Sequence, residues 1–238
     1  MRGELMYEGK GKQLYESGKA GELIQVFKDD ATAFDGVKHD VIAGKGELNC
    51  AISSFFFEKM HEAGIATHYI RREGPVEMRV RELAMMPVEV VVRNVAAGSI
   101  CKRLGLEEGV KLQWPLTELF YKSDELHDPM IAVEHVELFG WATRDDIEEM
   151  RATALKVNDV MTSILADVGI RLIDYKLEFG KADGKIYLGD EITPDGCRLW
   201  DAKTGQKLDK DVFRRDLGGL SEVYHEVANR LGIQLEFA

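Results

Sequence analysis

Charged side chains interrupt two stretches that otherwise have the pattern of β-strands, and these residues are the best candidates for chemistry. In Arg171–Phe179 alternate positions are apolar, and Asp174, Lys176 and Glu178 occupy positions between them. Side chains two residues apart in a strand share a face, so the pattern predicts one charged face. The following strand leads to Asp190, and a turn with an odd number of residues would place Asp190 opposite Glu178.

Two carboxylates that lie so close together suggest a metal site. They repel each other unless a cation lies between them, and hard oxygen ligands suit Mg²⁺. The segments DYKLEFG and GDEITPDG together hold five acidic residues, which favours a Mg²⁺ site at Glu178 and Asp190. The alternative is the solvated, charged face of an edge hairpin.

Basic residues beside glycine or serine suggest anion binding elsewhere in the chain. Lys10 and Lys12 flank a glycine just before a strand, a pattern that would suit a triphosphate. Arg93 ends an apolar strand shortly before Ser99 opens a helix, which would suit a phosphate group. Five later bases would suit an anionic substrate: Lys203, Lys207, Lys210, Arg214 and Arg215. The alternatives are a solvated tail, a simple helix cap and ordinary ion pairing on helix surfaces.

The standard nucleotide and hydrolase motifs are absent from the sequence. It contains no G-x-x-x-x-G-K-[ST], G-x-G-x-x-G, H-E-x-x-H or G-x-S-x-G pattern, which disfavours P-loop, Rossmann and conventional hydrolase functions. The six histidines form no cluster, and the three cysteines have no C-x-x-C spacing. We therefore expect reduced thiols and a cytoplasmic protein.

The composition is that of a folded, acidic chain. Its 238 residues include 31 Lys and Arg against 42 Asp and Glu, a net charge of -11. Residues 118–150 hold ten acids and two bases, so -8 of that charge lies in this segment. The total argues against nucleic acid and anionic membranes as partners, whereas the nearly balanced remainder allows a local basic site. The first twelve residues lack an apolar signal region, and no apolar run is long enough to span a membrane.

The residue periodicity predicts an α+β fold. The predicted strands are Lys12–Glu16, Leu23–Lys28, Thr67–Arg72, Glu77–Leu83, Val88–Asn94 and a hairpin from Arg171 to Ile192 that turns at Asp183-Gly184. The predicted helices are Glu47–Ala63, Gly98–Leu104, Thr143–Val168, Asp211–Leu217 and Ser221–Leu231. A capping box of Thr143 with Asp146 marks the start of the longest helix. The segment AMMP at residues 84–87 is the best candidate for an interdomain linker.

Several long sequence blocks resemble the SAICAR synthetase family. They follow one another from residue 7 to residue 219: YEGKGKQLYE, DDATAFDG, GKGELN, PVEVVVRNVAAGSICKRLG, YKSDELHDP, DYKLEFG, GDEITPDGCRLWD and LDKDVFRRDLGG. Cys197 departs from the serine that is more frequent in the family. The resemblance implies a two-lobed fold related to ATP-grasp and kinase-like architectures, with antiparallel sheets and flanking helices. Residues 1–84 would form a smaller lobe over the ATP phosphates, and residues 85–238 a larger lobe with the metal and ribotide sites.

The resemblance also implies an activity. The family uses ATP to join L-aspartate to the carboxylate of the ribotide CAIR, giving SAICAR, ADP and phosphate in purine biosynthesis, and we expect an acyl phosphate intermediate. A homodimer is also implied, with Val133–Trp141 as a candidate interface. The rival functions are a small-molecule kinase on a similar fold and a nucleotide-binding regulatory module without turnover.

The resemblance assigns site residues by matching blocks. The ATP site would contain Lys10, Lys12, Met86, Glu89 and Lys122, and Mg²⁺ would bind Glu178 and Asp190. The ribotide phosphate would bind Arg93, Ser99 and Arg198, and the catalytic residues that orient the reacting end of CAIR would be Asp128, Asp174 and Lys176. The carboxylates of L-aspartate would bind Lys210, Arg214 and Arg215.

Overall fold

A computed structural model describes residues 2–33 and 36–235, and the first sheet comes from the N-terminal third of the chain. Its neighbouring strands are all antiparallel, in the order β1-β2-β3-β7-β6. These strands are β1 (Leu5–Glu8), β2 (Lys12–Glu16), β3 (Glu22–Phe27), β6 (Tyr69–Arg72) and β7 (Glu77–Arg81). A separate hairpin consists of β4 (Asp30–Ala33) and β5 (Lys38–Val41). Phe34 and Asp35 of the DDATAFDG block lie outside the described residues.

The second sheet, also antiparallel, comes from later residues and has one polar face. Its order is β10-β9-β8-β11-β12, and β13 pairs with the first half of β11. These strands are β8 (Ala84–Val95), β9 (Lys111–Tyr121), β10 (Met130–Ile131), β11 (Ile170–Ala182), β12 (Lys185–Leu188) and β13 (Cys197–Asp201). The backbone N–H of His68 donates to Leu188 O at 2.8 Å, which joins the two sheets.

The two longest described helices pack on the sheets, and no described helix has the length and apolar character needed to cross a bilayer. They are α1 (Lys45–Glu62), α2 (Ser99–Leu104), α3 (Val133–Leu138), α4 (Arg144–Asp167), α5 (Asp211–Arg214) and α6 (Leu220–Arg230). Helix α4 buries a stripe at three- and four-residue spacing: Ile147, Met150, Ala154, Val157, Met161 and Leu165. This stripe covers the apolar face of β11, where the Tyr175 hydroxyl donates to Ala154 O at 2.8 Å. Buried apolar faces of this kind supply most of the free energy of folding.

The covered face of β11 leaves its charged residues on the opposite side. Tyr175, Leu177 and Phe179 are buried, as the alternation predicts. On the other face the register places Asp174 opposite Arg93 of β8 and Glu178 opposite Glu89. A single sheet therefore has an apolar side against α4 and a polar side on which acids and bases lie in rows.

Most predicted elements are confirmed, but three details of the sequence interpretation are wrong. Residues 84–87 are the start of β8 and not a linker, because Ala84 and Met85 pair with β11. The hairpin turn has two residues, Asp183 and Gly184, both with positive φ. This even number places Gly189 opposite Glu178, so Asp190 lies beyond the end of β12.

The third correction concerns the helix predicted over Asp211–Leu217. Helix α5 ends at Arg214, and left-handed backbone follows at Asp216, with φ of 54°, and at Gly218, with φ of 109°. Residues in this conformation cannot continue a right-handed helix. The segment therefore turns sharply towards α6.

The predicted capping box at the start of α4 is present and can be tested. The backbone N–H of Asp146 donates to the Thr143 hydroxyl at 3.1 Å, and the N–H of Thr143 donates to Asp146 Oδ2 at 2.9 Å. Thr143→Ala should lower the free energy of unfolding by about 1 kcal/mol, measured by urea denaturation. Thr162→Ala, on the exposed side of the same helix, should not lower the free energy of unfolding, since alanine has the higher helix propensity. Equal losses in both variants would contradict the capping role.

Candidate active site

A cleft of about 560 Å³ lies over the polar face of the second sheet. Its wall includes the turn between β1 and β2 and the first residue of β2, where Lys10 and Lys12 lie on either side of Gly11. Its floor includes Glu89 of β8, with Lys176 and Glu178 of β11. Further lining comes from the segments at residues 122–128, 190–196 and 210–214. The cleft is thus formed by both sheets together, and charged groups dominate it.

Lys176 lies between two acids of adjacent strands. Its Nζ is 2.9 Å from Glu89 Oε1 and 2.6 Å from Glu178 Oε1. The register makes the two glutamates cross-strand neighbours, an arrangement in which like charges destabilise a sheet. Lys176 therefore supplies the positive charge that allows both carboxylates to be buried.

Two more lysines approach these acids from other elements. Lys122 contacts Glu178 from the segment after β9, and Lys12 contacts Asp190 from β2. Asp190 Oδ2 is also 3.7 Å from Lys176 Nζ. Although Asp190 is not directly opposite Glu178, both carboxylates belong to one cluster with three ammonium groups.

Burial and the lysines have opposite effects on the pKa values of these acids. Burial favours a raised pKa at Glu178, but Lys176, Lys122 and Lys12 together hold the pKa well below its usual range. At Glu89 burial outweighs the effect of Lys176 and the pKa is raised. Glu178 is therefore a firmly ionised carboxylate, whereas Glu89 binds a proton more readily.

A second charged network lies deeper, in a row across β8, β11 and β13. Asp174 Oδ2 accepts a hydrogen bond at 2.7 Å from Arg93 and one at 3.0 Å from Arg198. Arg93 also donates to Glu118 Oε2 at 2.7 Å and to the Ser99 hydroxyl at 3.1 Å. The side chains of Arg93, Glu118 and Asp174 are each exposed by 5% or less, so this network is part of the core.

Arg198 connects this network to the cleft. It donates to Asp211 Oδ2 at 3.0 Å, and Asp211 Oδ1 accepts a hydrogen bond from Arg214, which lines the cleft. The guanidinium also lies against Gly98, where an added Cβ would be 2.5 Å from Arg198 Nη2. Glycine at this position, with φ of 62°, therefore allows the close approach of the guanidinium to the backbone.

Comparisons with known proteins show which family this chain belongs to. The family model described as SAICAR synthetase matches residues 5–231. A relative from Parvibaculum lavamentivorans, named phosphoribosylaminoimidazole-succinocarboxamide synthase, is 54% identical over 97% of this chain and 93% of its own length. The chain belongs to the SAICAR synthetase family. It is therefore an enzyme, a ligase of purine biosynthesis.

Solved structures of SAICAR synthetases have the same fold. One from Ehrlichia chaffeensis superposes with a TM-score of 0.95 at 42% identity and covers 97% of this chain and 99% of that chain. A second, described as SAICAR synthetase in complex with ADP, superposes with a TM-score of 0.95 at 51% identity, over 98% and 100% of the two chains. Nucleotide binding is thus documented for a close structural relative.

The structure brings together most of the residues that resemblance to the SAICAR synthetase family indicates. Ten of them line the cleft: Lys10, Lys12, Glu89, Lys122, Asp128, Lys176, Glu178, Asp190, Lys210 and Arg214. Asp174, Arg93, Ser99 and Arg198 form the deeper network instead. Met86 is buried in the core, and Arg215 pairs with Glu108 outside the cleft lining.

Four charged residues of the cleft and of the networks beside it were not among the site residues predicted from the sequence. Glu191 and Asp195 line the cleft, and both lie in the GDEITPDG block that was examined mainly for Asp190. Lys45 is buried beside Asp195, and its signal was the GKGELN block. Glu118 is a buried acid at a position where the sequence shows only a mixed strand, so no pattern distinguished it.

The deeper network gives a stability prediction. Arg93→Met would leave the buried carboxylates of Glu118 and Asp174 short of positive charge, so it should lower the free energy of unfolding by about 3 kcal/mol or more. The matched control is Arg103→Met, which removes a partly exposed partner of the same Glu118 and should cost about 1 kcal/mol or less. Chemical denaturation measures both variants. An Arg93→Met loss no larger than that of Arg103→Met would contradict the network as described.

Proposed function

We propose that this cleft joins L-aspartate to the carboxylate of CAIR with ATP, and that the reaction passes through an acyl phosphate. The overall reaction is that of the SAICAR synthetase family, and family membership carries it to this chain. The roles of individual residues and the intermediate are our proposal. It rests mainly on the cluster of Lys12, Lys122 and Lys176 around Glu178 and Asp190 in one cleft.

The lysine cluster supports an ATP site without a P-loop. Lys10 and Lys12 would meet the phosphates from the β1–β2 turn and the start of β2, and Lys122 would meet them from the segment after β9. Their ammonium groups now pair with carboxylates, so phosphate oxygens would exchange one anionic partner for another. Residues 1–84 would act as the lobe that covers the phosphates, and β8 near Met86 and Glu89 would border the base.

Glu178 and Asp190 fit a Mg²⁺ ion that arrives with ATP. Their side chains are 2% and 9% exposed, and carboxylate oxygens are the ligands that this ion prefers. Among the described residues no group of three or more His, Cys, Asp or Glu side chains is arranged to hold a metal. Mg²⁺ is often bound by one or two carboxylates together with substrate phosphates, which matches this pair. When bound, it would withdraw negative charge from the transferred phosphoryl group.

The deeper network supports a ribotide site. Arg198 and Ser99 would contact the phosphate of CAIR, and Arg93 would hold both in place through its own hydrogen bonds. Asp174 and Lys176 lie on the same face of β11, and Asp128 lines the cleft. These three would orient the imidazole, its amino group and its carboxylate. The ribotide would thus lie between the two networks.

The chemistry follows from the weak reactivity of a carboxylate towards amines. A carboxylate oxygen of CAIR bonds to the γ-phosphorus, and the bond from phosphorus to the ADP oxygen breaks with its electron pair on ADP. The amine nitrogen of L-aspartate then bonds to the activated carbonyl carbon. The carbon–oxygen bond to phosphate breaks, and the amine proton leaves with the phosphate. Lysines hold the anions together in both steps.

The proposed L-aspartate site contains fewer residues than the sequence suggested. Lys210 and Arg214 line the cleft and would bind the substrate carboxylates. Arg215 pairs with Glu108 and lies outside the lining, so we leave it out of the proposed site. We also propose a cytoplasmic homodimer, supported by the exposed Leu138 and Phe139 of the 133–141 segment and by three unpaired cysteines.

An isotope assay tests this function. The protein is incubated with ATP, Mg²⁺, L-aspartate and CAIR whose carboxylate carries ¹⁸O, and ADP, SAICAR and inorganic phosphate are followed. We expect ADP and SAICAR in equal amounts and one ¹⁸O atom in each phosphate, because the acyl phosphate passes a carboxylate oxygen to phosphorus.

The other outcomes separate the rival functions. ADP release without aspartate-dependent SAICAR would indicate a small-molecule kinase, and no ADP at all would indicate a binding module. SAICAR formation with unlabelled phosphate would support the ligase but contradict the acyl phosphate.

A further inference from the structure

Asp195 is a carboxylate of the cleft lining, 10% exposed, at which three elements meet. Asn49 of α1 donates to its Oδ2 at 2.9 Å, and Tyr224 of α6 donates to its Oδ1 at 2.6 Å. Lys45, at the first position of α1, has its Nζ 2.5 Å from Oδ2. Lys210 Nζ is 3.7 Å from Oδ1, which is ion-pair distance but too long for a hydrogen bond.

The charges in this cluster do not balance. Lys45 is 1% exposed, and Asp195 is its only ion-pair partner among residues 2–33 and 36–235. Lys210 has only Asp195 at such a distance in the same part of the chain. Two ammonium groups therefore share one carboxylate, and a buried excess of one positive charge favours an added anion.

The cleft is where that anion would enter. Asp195 and Lys210 line it, whereas Lys45 lies behind Asp195 and outside the lining. Burial lowers the pKa of Lys210, Asp195 opposes this effect, and Lys45 and Arg214 add to it. Glu191 is the other acid that acts on Lys210, and it also faces Lys12 at 3.6 Å. A carboxylate that enters from the cleft would therefore stabilise the Lys210 ammonium.

We infer that Lys45 is a positioning residue for Lys210: by pairing with Asp195 it keeps the Lys210 ammonium available to a carboxylate of L-aspartate. This inference rests on the proposed function. Without Lys45, Asp195 would pair fully with Lys210 and draw its ammonium away from the substrate. Lys45 touches no substrate and acts only through Asp195.

Kinetics of Lys45→Met test the inference. We expect the KM for L-aspartate to rise about tenfold, because the substrate loses a charge-assisted contact. The KM for ATP and kcat should each change by less than about threefold. The double variant Lys45→Met with Asp195→Asn removes the competing carboxylate as well. Its KM for L-aspartate should return to within about threefold of the wild type.

The control is Tyr224→Phe, which removes a neutral donor from the same carboxylate without changing any charge. It should leave the KM for L-aspartate within about twofold of the wild-type value. An unchanged KM in Lys45→Met, an equal rise in Tyr224→Phe, or a double variant no better than the single one would overturn the inference.

Folding is checked by ADP affinity and the thermal midpoint. If Lys45→Met no longer binds ADP, the double variant decides alone, because it has lost the carboxylate of residue 195 together with its buried lysine partner. A tenfold higher KM in that variant would overturn the inference, and a KM near that of the wild type would support it. A wild-type protein that makes no aspartate-dependent product would instead contradict the proposed function.

Discussion

Charge compensation on the polar face of one sheet is the constraint on which the rest of this structure depends. Glu89 and Glu178 are buried opposite each other, and Lys176 lies between them. Uncompensated carboxylates at such depth cost several kcal/mol, so strands that carry them require lysines or arginines at matching positions. At the other end of the same face, Arg93 and Arg198 compensate the charge of Asp174 in the same way.

This arrangement connects fold and function. The apolar face of β11 packs on α4, so its alternate charged residues must lie on the side of the cleft. The lysines and arginines that pair with these buried carboxylates are cations. They can exchange a protein carboxylate for a phosphate or carboxylate group of a substrate. An acidic protein with a net charge of -11 can therefore bind anionic substrates, because the local and total charges differ.

Structural features that depend on a local residue pattern could be predicted from the sequence. The alternation in Arg171–Phe179 and the capping box of Thr143 both appear in the structure. Short or mixed strands such as β9, β10 and β13 were missed, since their polar and apolar residues follow no clear period. Resemblance to the SAICAR synthetase family identified most residues of the candidate site. Lys45 lies in the GKGELN block, but its ion pair with a residue 150 positions away could not be predicted, and the partner of Glu118 lies 25 positions away.

The most direct test of the central claim is calorimetric titration of ATP with and without Mg²⁺, in the wild type and in Glu178→Gln. The account predicts that Mg²⁺ tightens ATP binding by about tenfold or more in the wild type, because the ion joins the phosphates to the buried carboxylates. Glu178→Gln should lose most of this gain, whereas Glu125→Gln, an exposed acid, should keep it. An equal Mg²⁺ effect in all three proteins would contradict the account.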